Sequence, residues 1–370
     1  MKVALDISNT AGFRTGTEEY IEGLVYGLAR AGVQVSGVGR SGQALLPDKP
    51  RLGLEIRPKP SPLAKWWWEY YGVRRVPGDF DVLHIPFMAH PEVQLAIPTV
   101  VTVHDLIPYR LASYRHNLKE RRYFAHVERG LRYADRLVAI SEATMADLRD
   151  VFPDLADRTV VIPNGVHADF YGDLDVERAG SVARRFGLRR RPRILYVGGY
   201  DERKNVPTLI RALAQVFERV KEGELVLVGA KDNLAIRRQL AEEGIEGRAV
   251  VTPFVNRSEL VALYHSADLF VYPSRYEGFG MPPAQALAVG VPVIAGDTPA
   301  VREVVGDYGV LVPPDDVEAW RVAIQEALDS PVALHQRAEN GQHYAEVFRW
   351  EAISQHYLSV YQQATKGRAL

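Results

Sequence analysis

Short runs rich in Val and Ile alternate with longer helical patterns along the whole chain. Runs of this kind read as strands buried on both faces, so the alternation predicts parallel sheets built from βαβ units. The spacing predicts strands at 2–7, 81–85, 99–103, 136–140 and 159–162, with helices near 18–31, 118–133 and 142–151. The pattern restarts after residue 192, with strands at 193–197, 224–228, 249–254, 269–272, 292–295 and 309–312. Asn205 is placed to cap a helix through Leu209, Leu213 and Val216, and Pro207 fits its first turn.

At ~100–200 residues per domain, a chain of 370 residues suggests two domains, each large enough to bury a core. The boundary falls within 164–192, where Pro163-Asn164-Gly165 ends a strand and the Arg-rich stretch 184–193 carries Pro192. That Arg run reads as solvated surface. The domains are read as 1–168 and 169–349. Val347, Trp350, Ile353, Tyr357 and Val360 share one face of a helix over 345–363, and 350–370 are expected to pack back on the first domain. Trp66, Trp67, Trp68, Tyr70 and Tyr71 form a dense aromatic patch. Three consecutive helical residues cannot all face inward, so part of the patch is core, and the exposed remainder suits an acceptor glycan or a membrane interface.

Composition narrows the chemistry. The absence of cysteine removes thiol nucleophiles, disulfides and zinc fingers together. A formal net charge of -1 leaves no general surplus of Lys and Arg, so no nucleic-acid partner is expected. No long apolar run follows the first charge, and the stretch 97–103 is broken by Pro98, Thr99 and Thr102, so neither a signal peptide nor a membrane span is expected. The expected location is cytoplasmic, with peripheral contact at the inner membrane surface as an option.

The most informative stretch runs from Pro273 through Glu277-Gly278-Phe279-Gly280-Met281-Pro282-Pro283 to Gln285, joining a strand end to a helix. Gly278 and Gly280 let backbone N–H groups approach a ligand, and the prolines fit a first helical turn, so the loop can present an anion site of the kind a diphosphate fills. Glu277 just before it can accept hydrogen bonds from hydroxyls, as a sugar offers.

This stretch resembles the glycosyltransferase family 4 signature, in which EGFG and two prolines precede a second Glu in the following helix. The other landmarks keep the family's order and spacing: Gly16-Thr17 with Tyr20, Val103-His104-Asp105, Ala139-Ile140-Ser141-Glu142, Ile162-Pro163-Asn164-Gly165-Val166, Tyr196-Val197-Gly198-Gly199 with Arg203-Lys204-Asn205, and Val226-Leu227-Val228-Gly229. The resemblance covers nearly the whole chain. It implies the α/β architecture called GT-B, two Rossmann-like domains facing across a cleft, with the acceptor approaching from the first domain and a nucleotide-sugar donor held by the second.

The resemblance implies site residues in turn. Glu277 matches the first Glu, near the donor sugar, and Gly278, Phe279 and Gly280 match the phosphate-facing loop. Gln285 stands where the family places the second Glu, which accepts hydrogen bonds from the nucleotide ribose; an amide oxygen accepts more weakly. Arg203 and Lys204 are expected to neutralise the diphosphate leaving group, the main catalytic demand, with Gly198 opening their loop. His104 matches a histidine facing the donor sugar, whereas His84 and His90 read as structural. Gly16 and Thr17 match the first glycine-rich loop, and Arg14 and Glu18 are placed to touch ligand. Asp173-Leu174-Asp175 fits a DxD pattern by chance, and no metal and no cofactor beyond the GDP- or UDP-sugar co-substrate is expected.

The implied reaction is retaining transfer of a hexose to a glycan or glycolipid acceptor, with GDP-mannose the first guess over UDP-glucose. Two rivals stand beside it: a nucleotide-sugar epimerase on the same scaffold, and a catalytically silent partner that binds nucleotide or glycan.

Overall fold

The structure, a computed structural model, describes residues 1–8, 16–39, 42–45, 67–76, 78–111, 114, 117–230 and 233–367. Arg14 and Trp66 lie outside the described residues. The chain divides into two compact units, Met1–His167 with Phe348–Leu370, and Ala168–Val347.

In the first unit, strands β1 (Lys2–Asp6), β2 (Gln34–Gly39), β3 (Gly42–Leu45), β4 (Val82–Ile85), β5 (Thr99–Val103), β6 (Arg136–Ala139) and β7 (Thr159–Val161) form one sheet in the order β3-β2-β1-β4-β5-β6-β7. All neighbours are parallel except β3, which pairs antiparallel with β2 at the edge. Helices α1 (Gly16–Arg30), α2 (Leu118–Leu131) and α3 (Glu142–Val151) cross between strands. Side-chain alternation splits the strands cleanly. Val3, Leu5, Val82, Val100 and Val138 face one core, while Ala4, Leu83, Val101, Val103, Leu137 and Ala139 face the other.

In the second unit, β8 (Arg193–Val197), β9 (Glu224–Val228), β10 (Ala249–Val251), β11 (Leu269–Tyr272), β12 (Val293–Gly296) and β13 (Val310–Val312) form a wholly parallel sheet ordered β10-β9-β8-β11-β12-β13. Helices α4 (Val176–Phe186), α5 (Val206–Arg219), α6 (Leu234–Glu242), α7 (Arg257–Ser266), α8 (Met281–Val289), α9 (Pro299–Val305), α10 (Val317–Asp329) and α11 (Pro331–Tyr344) belong to this unit. The strand order is that of the doubly wound dinucleotide fold, which reverses between β8 and β11.

The last helix, α12 (Trp350–Lys366), returns to the first unit. Trp350, Ile353, Tyr357, Val360 and Tyr361 join the core formed by α1 and one face of the sheet. Trp350 is fully buried, and covering a ring of this size removes on the order of 200 Å² from water, at most about 5 kcal/mol. It fits because α1 carries Gly23 opposite it: a Cβ there would lie 1.8 Å from Trp350 Nε1.

Several expectations are corrected. Gln34–Gly39 and Gly42–Leu45 form two strands where none was expected. Val347 lies in a short 3-10 turn, Ala345–Phe348, and is 52% exposed, so it does not share the buried face that begins at Trp350. The strand expected at 249–254 ends at Val251 because Pro253 cannot donate to a ladder. Asn205 precedes α5 in a left-handed conformation (φ 53°, ψ 29°) and its side chain does not cap the helix. Instead its amide donates to Pro314 O at 2.6 Å and its Oδ1 accepts from Thr208 at 2.8 Å. The Arg-rich stretch is not all solvated: Arg193 is buried and paired with buried Glu224 at 2.9 Å. Of the aromatic run, Trp68 is buried and donates through Nε1 to Asp6 at 2.9 Å, while Trp67 and Tyr71 are exposed.

Candidate functional site

Two turns meet at the carboxyl ends of β8 and β11, where a sheet of this order opens a crevice for ligands. The first passes Gly198 and forms a single 3-10 turn, Glu202–Lys204. The second runs from Pro273 to Gly280 and enters α8. They are pinned to each other: Arg275 N donates to Arg203 O at 2.7 Å, and the Arg275 guanidinium donates to Glu202 O at 2.9 Å and to Asp315 at 2.6 Å. Asn205 is the only non-glycine residue with positive φ among the described residues, and its strained backbone closes the first turn.

This pinning brings Arg203, Lys204 and Glu277 together. The Glu277 carboxylate accepts from Lys204 Nζ at 2.6 Å, Tyr272 hydroxyl at 2.8 Å and Ser274 hydroxyl at 2.5 Å, all on Oε1. Oε2 accepts from Arg203 Nη1 alone, at 3.0 Å. A carboxylate offers about two lone-pair sites on each oxygen, so Oε1 is saturated and Oε2 keeps acceptor capacity. Lys204 also donates to Tyr272 at 2.7 Å, which leaves one of its three N–H groups unspent. Arg203 spends Nη1 on Glu277 and Tyr276 O, and its Nε lies 3.1 Å from Asp201.

Burial works to raise the Glu277 carboxyl, but the Lys204 and Arg203 cations outweigh it and hold the carboxyl below its ordinary range. Burial pushes Lys204 down despite the opposing pull of Glu277. The arrangement is a largely covered carboxylate clamped between two cations that retain donors for an anion.

Gly280 precedes α8 with φ 111° and ψ 53°, a conformation L side chains rarely adopt, and Pro282 and Pro283 occupy the first turn. Pro282 and Pro283 carry no N–H and Ala284 N donates to Gly280 O, so the donors at this helix start are the N–H groups of Gly280 and Met281, without a side-chain cap. Phe279 is buried beside them. Gln285, one helical turn on, is buried, and its Oε1 accepts from Tyr264 hydroxyl at 3.2 Å. Asp175 of the DxD match caps α4 by accepting from Arg178 N at 2.9 Å, and the described residues hold no group of three His or carboxylates suited to a metal.

His104 belongs to the first unit, directly after β5. A carbonyl can only accept, so the 2.9 Å contact between Nε2 and Pro86 O places the proton on Nε2 and leaves Nδ1 as an acceptor in the neutral ring. Burial lowers its pKa, which favours that neutral form. Tyr20 packs edge-on against the imidazole, with centroids 4.8 Å apart. Behind it runs a buried chain of single protons. Tyr20 donates to Tyr357 at 2.7 Å, so Thr102 donates to Tyr20 at 2.9 Å, His84 Nε2 donates to Thr102 at 2.8 Å, and His84 Nδ1 accepts from Tyr361 at 2.7 Å. His84 is therefore structural, as is His90, whose nitrogens meet Pro91 O and Thr99. Gly16 and Thr17 open α1, Gly16 exposed and Thr17 half-buried, with Glu18 half-buried beside them.

Sequence reasoning missed Tyr272, Ser274 and Arg275 as parts of this site. Ser274 and Arg275 lie inside the informative stretch, a signal available beforehand. Tyr272 ends an apolar strand and reads as core.

Comparison with known proteins supplies the remaining finding. Residues 184–344 match the family model described as glycosyl transferases group 1, and residues 14–170 match glycosyltransferase family 4. The chain is 32% identical over 306 residues to the MMP alpha-(1->4)-mannosyltransferase of Mycolicibacterium hassiacum, covering 78% of this chain and 71% of that protein. It is 30% identical over 306 residues to a glycogen synthase of Mycobacterium tuberculosis, covering 78% and 70%. Among solved structures, Anabaena Alr3699/HepE in complex with UDP-glucose superposes at TM-score 0.74, with 19% identity over 100% of this chain and 99% of that one.

Proposed function

The chain belongs to glycosyltransferase family 4 and is a glycosyltransferase of the two-domain α/β GT-B fold, and from that premise we propose that it moves a hexose from a nucleoside diphosphate sugar to a glycan or glycolipid acceptor with retention at the anomeric carbon. The observation that carries this reading is the clamp in which Glu277 lies between Lys204 and Arg203 at the turning point of the second sheet. Cations with unspent N–H groups beside an uncapped helix start suit a diphosphate that gains charge as it leaves. Glu277 Oε2 suits a hydroxyl of the transferred sugar and Gln285 the ribose; in the first unit, His104 Nδ1 is by itself an acceptor suited to a hydroxyl. Gly16, Thr17, Gly198, Gly278, Phe279 and Gly280 supply close backbone approach.

In this reading the nucleotide sugar is a co-substrate, and neither a metal nor another cofactor takes part. The leaving phosphate accepts the acceptor's proton as the acceptor attacks from the donor's own face. Mannose from GDP-mannose is the first donor, supported by the mannosyltransferase relative; the UDP-glucose complex of HepE makes UDP-glucose the second. No helix among the described residues is long and apolar enough to cross a membrane. A cytoplasmic enzyme with peripheral membrane contact belongs to the same reading, supported by exposed Trp67 and Tyr71, which carry Arg75 and Arg74 over their rings.

Thermal denaturation against GDP, UDP, ADP and their sugars tests the donor site, since a ligand at 100 times its dissociation constant adds ~2.7 kcal/mol. A shift confined to GDP or UDP is the expected result. Conversion of the donor sugar without acceptor would favour the epimerase, and no shift at millimolar nucleotide would favour the silent partner.

A further inference from the structure

Tyr272 is the last residue of β11 and is fully buried, its ring stacked between Phe270 and Tyr196 at centroid distances of 6.1 and 6.2 Å. Packing needs only the ring, which phenylalanine would supply. The hydroxyl is extra, and a hydroxyl taken out of water destabilises a core unless it is hydrogen-bonded. Here both of its roles are used on charged groups: it accepts from Lys204 Nζ at 2.7 Å and donates to Glu277 Oε1 at 2.8 Å. Ser274 adds a second neutral donor to the same oxygen at 2.5 Å. Burial and the nearby Glu277 charge keep the phenol protonated throughout the working range of pH.

We propose that Tyr272 is a positioning residue for glycosyl transfer: with Ser274 it fixes Oε1 of Glu277 and one N–H of Lys204, so that Oε2 and the unspent N–H groups of Lys204 and Arg203 are the ones presented to the donor. This rests on the reading of Glu277, Lys204 and Arg203 as the donor site. Without the hydroxyl, the carboxylate can rotate and the ammonium can fold wholly onto it. The two oxygens then exchange places and the clamp loses its direction while the charges remain.

The test is steady-state release of GDP or UDP by the full chain, from GDP-mannose and from UDP-glucose, with water or an added oligosaccharide as acceptor. Tyr272→Phe is expected to lower kcat roughly tenfold, the scale of one hydrogen bond to a charged group, with KM within about twofold because the charges that bind the diphosphate persist. Ser274→Ala follows in the same direction. The acid limb of kcat/KM should move to higher pH in Tyr272→Phe, because Glu277 loses a donor that favours its ionised form. An unchanged kcat overturns the inference. So does a loss in which kcat, KM and melting temperature worsen together while the acid limb stays in place, which is the mark of a packing role. A wild type that releases no nucleotide from either donor overturns the reading of the site and this inference with it; an active wild type with unchanged variants overturns this inference alone.

Discussion

At the scale of single residues, Glu277 is where charge is least replaceable. Glu277→Gln keeps the shape but leaves Lys204 and Arg203 facing each other with no anion between them. Transfer should fall about 100- to 1000-fold, the usual size of lost electrostatic stabilisation. The melting temperature should fall by several degrees, because one partner of a buried ion pair has gone. Initial rates and calorimetry on the same preparation check both, and rates within threefold of wild type would sink the assignment. Glu277, Lys204 and the glycine loop were singled out in the sequence because their order resembles a family signature, and the structure brings Glu277 and Lys204 together. Tyr272 was not, since a tyrosine that ends an apolar strand carries no mark of whether its hydroxyl meets water or a carboxylate. Asn205 was placed correctly before its helix but given the wrong role: αL geometry follows from the turn being pinned to the loops at Asp315 and Arg275, a tertiary constraint.

At the scale of elements, α12 is tied to β4 and β5 through His84, whose pKa burial lowers to about 3, with the nearby His104 charge adding to the effect. The unfolded chain binds a proton on this histidine near pH 6.5 and the folded chain does not until about 3. Stability is therefore full above the unfolded value and declines as pH falls through this window, by up to about 1.4 kcal/mol per pH unit from this group. Unfolding in urea from pH 7 to 5 should show that slope, and His84→Gln, though less stable at pH 7, should show a shallower one; equal slopes would remove His84 as the cause. The α1–α12 contact makes a second prediction. Gly23→Ala drives a methyl into Trp350, and overpacking of this kind costs about 1–3 kcal/mol, measurable as a lower urea midpoint with unchanged m. Most elements were legible from period and composition. The pair β2 and β3 was not: Gln34–Gly39 carries two glycines in six residues, which lowers strand propensity, and it is a strand because β1 offers a ladder.

At the scale of the whole molecule, the two units differ in how the chain builds them. Residues 168–347 close one unit from a continuous segment, whereas the other needs 348–367 to complete a core holding Trp350, Tyr357 and Tyr361. The isolated segment 168–347 should unfold in one cooperative transition and keep its nucleotide affinity within about tenfold, since the site residues Arg203, Lys204 and Glu277 all lie inside it. Residues 1–167 alone should fail to give such a transition until a peptide of 348–367 is added. Circular dichroism melts and nucleotide titration decide both, and a cooperative melt of 1–167 without the peptide would contradict the division. The alternation of strands and helices made two sheets legible, and 350–370 were expected to pack back on the first domain, but the α1 surface that receives them, with Gly23 against Trp350, is displayed by no local pattern.

The helix that completes the first unit also sets an order of events during synthesis. When the ribosome has made residue 347, every residue of the second unit is present, while the first, begun earlier, still lacks the side chains that seal its core. The half of the enzyme translated first is thus the half that matures last, its core left open until the helix that seals it has been made.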